Sequence, residues 1–187
     1  AVISRAGETR NPDAQPLPTR IGGFGGEAGF LSYLQEAGIT AVLDATHPYA
    51  QRITARTAAI CHAQGVPYMQ FLRPPWVAEL GDNWTEIGAE KEAADHIPRR
   101  SIVFLGTGRQ TLVRFANLQG CEVICRQIDP PTEPFPFAGG RYLVGRPPFS
   151  VEDELALFQD LGVDFLVVKN AGGTPSRTKL TAARQLG

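Results

Sequence analysis

The feature that most constrains this chain is the alternation of short apolar runs with helical patterns along almost its whole length. The apolar runs predict strands at residues 1–4, 40–45, 66–72, 101–105, 122–126, 141–144 and 164–168. Between most of these runs the apolar residues recur every three or four positions, which is the period of an amphipathic helix. This order is typical of an α/β protein, in which helices cover both faces of a mostly parallel sheet to form three layers.

Turn residues set the limits of the predicted helices. Gly38 ends a helix over 27–37, and Pro48 stands where the next helix is predicted to begin. Further helices are predicted at residues 89–96, 109–116, 151–161 and 178–186. The run at 40–45 is too apolar for a half-exposed strand, so we expect it to lie centrally in its sheet.

The chain is predicted to form two domains. The signals weaken between residues 77 and 100, where only a short strand at 84–87 and a short charged helix at 89–96 are indicated, and we place the boundary there, giving domains 1–97 and 98–187. The first holds 7 Lys and Arg against 11 Asp and Glu, a net charge of −4, and the second holds 11 against 8, a net charge of +3. The basic half is therefore the better candidate for an anionic ligand.

Composition excludes several classes of protein. A formal net charge of −1 argues against nonspecific nucleic-acid binding, which needs a strongly basic surface. No run approaches the roughly 18 apolar residues of a membrane-spanning helix. Cys61, Cys121 and Cys125 are odd in number and lack CxxC spacing, so we predict reduced core thiols in a cytoplasmic protein without a metal site.

Three loops that follow predicted strands of the second half combine turn residues with positively charged side chains. They carry Arg109 and Gln110, then Arg146, then Lys169 and Asn170 with Lys179 close behind. Open α/β sheets bind ligands beyond the carboxyl ends of their strands, and helix N-termini there favour anions. One such charge is usually a solvated surface charge, but three loops of this kind together predict a pocket for a polyanion.

The first half carries a glycine-rich segment ahead of a predicted helix, formed by Gly22, Gly23, Phe24, Gly25 and Gly26. Such a backbone can approach a phosphate closely. The spacing matches no phosphate-loop motif, however, and it suits a plain tight turn equally well. From these residues alone, cofactor contact and a simple turn both stay open.

The end of the first predicted strand bears on the choice of cofactor. If residues 1–4 form the second strand of a dinucleotide-binding fold, an NAD enzyme would place Asp or Glu at its end to bind the ribose hydroxyl. Ser4 and Arg5 stand there instead. On that condition, they suit the 2′-phosphate of NADP.

A polar cluster follows the strand at 40–45. It consists of Asp44, Thr46, His47 and Tyr49. One interpretation is that Asp44 or Thr46 only caps the next helix and that His47 packs between this helix and the strand. The cluster is more polar than capping requires, so we favour a functional role at the edge of the sheet, with a neutral His47.

Taken together, these motifs resemble the precorrin-6A reductase family of cobalamin biosynthesis. The segments that carry the resemblance are residues 16–20 running into 22–26, then 43–50, 73–76, 108–110, and 168–173 ahead of Lys179 and residues 182–184. They run in family order and span the chain almost from end to end. The set is specific, although each motif is weak by itself.

The resemblance implies two Rossmann-like three-layer domains with an active-site cleft between them. It implies hydride transfer from NADPH to a carbon–carbon double bond of the tetrapyrrole precorrin-6A, giving precorrin-6B without a metal, and other enzymes of that pathway as candidate partners. Family members start with a strand, a Gly-Gly-Thr turn and a helix before the counterpart of Ala1, and end with a strand after that of Gly187. We therefore expect both ends to be cropped here.

The resemblance also gives the candidate residues their roles. Ser4 and Arg5 would hold the 2′-phosphate, residues 22–26 would border the cofactor, and Thr46 would position the nicotinamide. His47 or Tyr49 would be the general acid, with water or the macrocycle's own nitrogens as equal alternatives. The expected carboxylate-binding residues are Arg109, Gln110, Arg146, Lys169, Asn170 and Lys179.

Two other functions remain open at this point. One is a noncatalytic module that binds a tetrapyrrole or a nucleotide, because a fold does not fix a function. The other is an NADP-dependent dehydrogenase of another small substrate.

Overall fold

The chain divides into two compact units. A computed structural model describes residues 1–7, 14–174 and 176–187, and it separates Ala1–Arg73 from Pro74–Gly187. The boundary follows Arg73, whereas the sequence predicted it near residue 97. Trp76 explains the difference, because its backbone amide and carbonyl exchange hydrogen bonds of 2.8 Å each with the side chain of Asn170 in the second unit.

The first unit contains two pairs of parallel strands and two helices. Its elements are β1 (Ile3–Arg5), β2 (Thr19–Ile21), α1 (Glu27–Glu36), β3 (Val42–Asp44), α2 (Gln51–Ala63) and β4 (Tyr68–Gln70). Strand β1 pairs with β2, and β3 pairs with β4. The sequence did not predict β2, a three-residue strand that follows two prolines closely. Helix α2 begins at Gln51 rather than near Pro48, which lies in the preceding turn.

One face of the β3–β4 pair carries the core of the first unit. Phe30 and Leu34 from α1 pack there with Ile60 and Cys61 from α2. On the opposite face Leu43 is 65% exposed. The expectation of a strand buried on both sides is therefore wrong for the described residues, because their helices cover only one face.

The second unit is built on a four-stranded parallel sheet. Its elements are 3₁₀ segments at Glu90–Asp95 and Arg109–Phe115, strands β5 (Ile102–Leu105), β6 (Glu122–Gln127), β7 (Gly140–Val144) and β8 (Phe165–Val167), and helices α3 (Val151–Leu161) and α4 (Thr178–Leu186). The strand order is β7-β6-β5-β8. The predicted helices near 89–96 and 109–116 are these 3₁₀ segments, and residues 84–87 form no strand.

Both faces of this sheet are covered. Leu112 and Phe115 from the second 3₁₀ segment pack on one face against Val103, Leu105 and their neighbours. On the other face, α3 and α4 pack against Phe104 and Ile124. The prediction of an α/β protein with mostly parallel strands is thus confirmed. No helix among the described residues is long and apolar enough to cross a membrane.

Candidate functional site

The glycine-rich segment of residues 22–26 connects β2 to α1 at the carboxyl edge of the β1–β2 pair. Gly22, Gly25 and Gly26 have φ angles of 108°, 75° and 101°, which favour glycine. A Cβ added at these positions or at Gly23 would meet no described atom within 4 Å. Open space therefore lies over this backbone, and α1 begins beside it without a side-chain cap.

Arg20 of β2 holds the glycine-rich segment in place. Its Nη1 and Nη2 atoms donate hydrogen bonds to the carbonyl oxygens of Gly22 (2.5 Å) and Gly23 (2.6 Å). Phe24 packs edge-on against Phe30, with 4.8 Å between the ring centroids. Phe24, predicted to contact the cofactor, therefore also anchors the segment to α1.

Ser4 and Arg5 lie in β1, directly beside this segment. The carbonyl oxygen of Arg5 accepts a hydrogen bond of 2.8 Å from the amide of Gly22. Ser4 is exposed and lies opposite Arg20 in the strand register. The structure thus gathers the residues predicted for the 2′-phosphate and for the glycine contact at one edge of the first unit.

His47 and Tyr49 meet in the loop between β3 and α2. Their ring centroids are 5.7 Å apart, and the amide of Tyr49 donates a hydrogen bond of 3.2 Å to Nδ1 of His47. Because Nδ1 accepts this bond, we assign the ring proton to Nε2. Both side chains are exposed, so the loop presents two proton-bearing groups.

Asp44 organises the start of that loop. It is only 6% exposed, and its carboxylate accepts hydrogen bonds from the amide of Thr46 (2.9 Å) and from the hydroxyl of Tyr68 (2.8 Å). The hydroxyls of Thr46 and Thr54 lie 3.0 Å apart. Burial opposes ionisation of Asp44, but these hydrogen bonds outweigh it and hold the pKa of the carboxyl below its usual value. Thr46 therefore links the loop to α2.

A pocket of about 150 Å³ lies at the carboxyl ends of β5, β6 and β7 in the second unit. Gly106, Gln127 and Gly145 stand at those strand ends and form part of its lining, together with Lys179 from α4. The Nζ atom of Lys179 donates a hydrogen bond of 2.9 Å to the carbonyl oxygen of Ser176. Burial, and then the charge of Arg126, lower the pKa of the Lys179 ammonium against a smaller opposing effect of Glu154.

A buried ion pair forms one wall of this pocket. The two Nη atoms of Arg126 donate to the two carboxylate oxygens of Glu154 at 2.8 and 2.6 Å. The side chains are 8% and 1% exposed. The guanidinium of Arg126 also lies 4.2 Å from the ring centroid of Phe149, so its position is fixed by contacts on several sides.

The remaining residues predicted to bind substrate are spread over the second unit. Arg109 and Gln110 are exposed at the start of the second 3₁₀ segment. Arg146 lies 3.4 Å from a carboxylate oxygen of Asp129. The side chain of Asn170 is engaged with the backbone of Trp76. Among the described residues predicted for this role, only Lys179 lines the pocket.

The charge of Lys169 acts on Glu90 of the first 3₁₀ segment. Burial raises the pKa of Glu90 in that segment, but hydrogen bonds from its own backbone and from Arg114 outweigh burial. The positive charges of Arg114 and Lys169 add to this, so the pKa falls below its usual value. Lys169 is not among the residues that line the pocket.

Sequence reasoning missed Arg20, Arg126, Gln127 and Glu154. The position of Glu154 offered a signal, because it follows Val151 by three residues and precedes Phe158 by four on the buried face of α3. A charge on such a face calls for a partner. Arg126 offered a similar signal near the end of an apolar strand, whereas Arg20 stood in the segment that runs into residues 22–26 without being given a role.

Comparisons with known proteins agree along the whole chain. A profile of the family described as Precorrin-6x reductase CbiJ/CobK matches residues 1–187. "Precorrin-6A reductase" of Rhodobacter capsulatus is 43% identical over 190 residues, covering 100% of this chain and 75% of that protein. The protein of the same name from Mycobacterium tuberculosis is 42% identical over 190 residues, with the same two coverages.

The fold comparison points the same way. A solved structure described as "CobK precorrin-6A reductase" matches with a TM-score of 0.94 and 42% sequence identity, over 99% of this chain and 74% of that one. Because the profile, the relatives and the fold agree over the full length, the chain belongs to the precorrin-6x reductase family.

Proposed function

We propose that this protein reduces precorrin-6A to precorrin-6B with NADPH in cobalamin biosynthesis. The observation that carries the proposal is the family match over all of residues 1–187. It is supported by 43% identity to a relative named for that activity. In this proposal the first unit binds the cofactor and the second unit binds the substrate.

The first unit offers residues that fit NADPH. The open space over Gly22, Gly23, Gly25 and Gly26 admits a ligand close to the backbone, as phosphate groups require. Arg5 and the hydroxyl of Ser4 would bind the 2′-phosphate. When bound, NADPH supplies the hydride that reduces a double bond of the macrocycle.

The chain's own contribution to the chemistry is orientation and a proton. The loop that carries Thr46, His47 and Tyr49 is tied to Asp44 and to α2, so it would hold the nicotinamide and the edge of the substrate in a fixed place. His47 would hold a proton at Nε2, the ring atom that is not engaged with Tyr49. Proton delivery to the reduced macrocycle is then general acid catalysis.

The second unit would recognise the carboxylates of the macrocycle. Charge-assisted hydrogen bonds from Arg and Lys are well suited to acetate and propionate groups. Lys179 would contribute from the pocket, and the exposed Arg109, three residues after the pocket-lining Gly106, would contribute from the surface.

The proposal is tested by mixing the protein with NADPH and precorrin-6A. We expect NADPH oxidation that depends on precorrin-6A, with precorrin-6B as the product identified by mass. NADH should support a much lower rate. Binding of both ligands without turnover would refute the reductase proposal, and a preference for NADH would refute the role of Ser4 and Arg5.

We also propose a cytoplasmic location. Cys61, Cys121 and Cys125 are free thiols, and all three are buried. Unpaired buried thiols are usual where the compartment is reducing. Recovery of the protein from a cell fraction outside the cytoplasm would contradict this proposal.

A further inference from the structure

We propose that the pocket at the carboxyl ends of β5, β6 and β7 binds one carboxylate-bearing side chain of the substrate through Lys179 and Gln127. Arg126 and Glu154 form its fixed wall. The inference rests on the proposed function only for the nature of the substrate, a tetrapyrrole with several carboxylates. Its physical basis is the arrangement of charge, space and packing in the second unit.

The charge of the pocket matches a single carboxylate. Arg126 and Glu154 compensate each other through two hydrogen bonds. Lys179 then remains as the one uncompensated charge among these three residues, and its hydrogen bond goes to a neutral carbonyl oxygen. Burial disfavours the charged form of Lys179, as the lowered pKa indicates. A bound carboxylate would offset that loss of hydration with a charge-assisted hydrogen bond.

Gln127 provides a second donor. Its Nε2 atom is buried and has no hydrogen-bond partner among the residues that the structure describes. The residue lines the same pocket as Lys179. A buried amide donor without an acceptor is unfavourable, and a carboxylate that enters the pocket would supply that acceptor once the Gln127 side chain turns its amide towards it.

The size of the pocket limits what can enter. Its volume is about 150 Å³, and a cavity of roughly that volume accommodates benzene, a molecule of about six non-hydrogen atoms. An acetate or propionate group fits this space. A macrocycle or a nicotinamide with its ribose is too large, so the pocket takes a side chain of the ligand.

Two glycines allow the cations to lie against the strand ends. A Cβ at Gly106 would stand 3.6 Å from Cδ of Lys179 and 3.3 Å from Cγ1 of Val168. A Cβ at Gly145 would stand 3.1 Å from Cζ of Phe149, the ring on which Arg126 lies. A side chain at either glycine would therefore crowd Val168 or Phe149, so the two glycines keep the strand ends clear beside Lys179 and Arg126.

The test measures binding of uroporphyrin, a metal-free tetrapyrrole that carries acetate and propionate groups. Lys179→Met keeps an unbranched apolar stem beside Gly106 and removes the charge. We expect it to raise the Kd for uroporphyrin about tenfold or more, because charge-assisted hydrogen bonds are worth roughly that factor. Lys91→Met, at an exposed lysine of the first 3₁₀ segment, is the matched control and should change the Kd less than twofold.

Gln127→Leu provides a second, milder variant. We expect a rise in Kd of about two- to tenfold, smaller than for Lys179→Met because the amide donor itself carries no charge. Circular dichroism of each variant reports whether it is folded. Folded Lys179→Met and Gln127→Leu proteins that bind uroporphyrin as tightly as the wild type would overturn the proposal, as would a wild type that does not bind it.

A third measurement distinguishes a carboxylate from a phosphate. The Kd for NADP⁺ should stay unchanged in both variants, whereas a loss confined to NADP⁺ would assign the pocket to a phosphate and overturn the proposal. If the protein does not reduce precorrin-6A but still binds uroporphyrin through Lys179, the proposed function alone is refuted. Reduction of precorrin-6A with a KM that Lys179→Met leaves unchanged would refute this inference alone.

Discussion

The guanidinium carbon of Arg20 lies 3.9 Å from the centroid of the Phe24 ring and 5.3 Å from that of Tyr33. The same guanidinium donates to the carbonyl oxygens of Gly22 and Gly23. One side chain of β2 therefore connects the glycine-rich segment to the aromatic residues that pack around α1. The backbone geometry of the proposed cofactor edge depends on this contact, although Arg20 itself is only a positioning residue.

Arg20→Met should weaken cofactor binding more than it slows turnover. Two hydrogen bonds from a charged group are lost, each worth roughly tenfold in an equilibrium constant, so we expect the KM for NADPH to rise about tenfold or more. The kcat at saturating NADPH should fall less. Steady-state kinetics with NADPH as the varied substrate measures both. Arg20→Lys should restore only part of the effect, because lysine lacks the planar fork.

The control for Arg20 is Arg52→Met, at an exposed arginine of α2. It removes the same charge from the same unit without touching the glycine-rich segment. Equal kinetics for the two methionine variants would show that the segment does not depend on Arg20.

His47→Gln should lower kcat by about a hundredfold, the lower end of the range for general acid catalysis. Glutamine keeps hydrogen-bonding groups but cannot donate a proton as an imidazole does. Tyr49→Phe should have a smaller effect, because the His47 Nδ1 contact uses the backbone amide of Tyr49 rather than its hydroxyl. Single-turnover measurements of NADPH oxidation separate this step from product release.

An undiminished rate in both variants would assign the proton to water or to the macrocycle's own nitrogens. A large loss in Tyr49→Phe alone would make Tyr49 the general acid.

The Asp44–Tyr68 hydrogen bond should make stability depend on pH at the alkaline end. Burial and then the hydrogen bond to Asp44 raise the pKa of Tyr68 from 10.0 to about 12. The folded protein therefore keeps the phenolic proton where the unfolded chain releases it, so this contribution is complete below pH 10 and is lost as the pH rises to about 12. Urea unfolding over that interval should show a shallower decline for Tyr68→Phe than for the wild type.

The pKa shift of Asp44 has the opposite sign and affects stability at the acid end of the pH range. Its pKa is lowered from 3.8, so its contribution is present above that value and is lost as the pH falls through the lower pKa of the folded state. Asp44→Asn should remove this acid-side dependence.

The control for the alkaline measurement is Tyr49→Phe, because Tyr49 is exposed and lies outside the hydrogen bonds of Asp44. If its stability declines with pH as little as that of Tyr68→Phe, the prediction for Tyr68 is contradicted.

Periodicity predicted most of the second unit because each of its buried strands has its own apolar run. Residues 101–105 and 122–126 became β5 and β6 almost residue for residue. The start of α3 carries a local signal of another kind, a capping box of Ser150 and Asp153 in which each backbone amide donates to the other's side chain. Local signals suffice when they agree with the burial of the element.

The site was less accessible from sequence because its contacts join residues far apart in the chain. Glu154 and Arg126 are separated by 28 positions, and no local pattern relates them. Arg109, Arg146 and Lys169 shared a loop character with the residues near Lys179, yet none of them lines the pocket, and Arg146 lies against Asp129 instead. β2 was missed for a related reason, since a three-residue strand is too short to show a period.

Removing only one partner of the Arg126–Glu154 ion pair should lower the free energy of unfolding strongly. Glu154→Ala leaves a guanidinium that is 8% exposed without its anion, and we expect a loss of about 3–5 kcal/mol in the free energy of unfolding. Replacing both residues, as Arg126→Met with Glu154→Leu, should cost less than Glu154→Ala alone because no buried charge remains. Urea unfolding of the single and double variants measures the difference.

The exposed pair Arg141–Glu122 supplies the matched control. Its atoms are 3.0 Å apart, but the side chains are 46% and 47% exposed, so Glu122→Ala should cost at most about 1 kcal/mol. If Glu154→Ala and Glu122→Ala cost the same, the pocket wall is not held by the ion pair. The double variant should also lose uroporphyrin affinity less than Lys179→Met does, because Arg126 and Glu154 compensate each other while Lys179 carries the charge that the ligand meets.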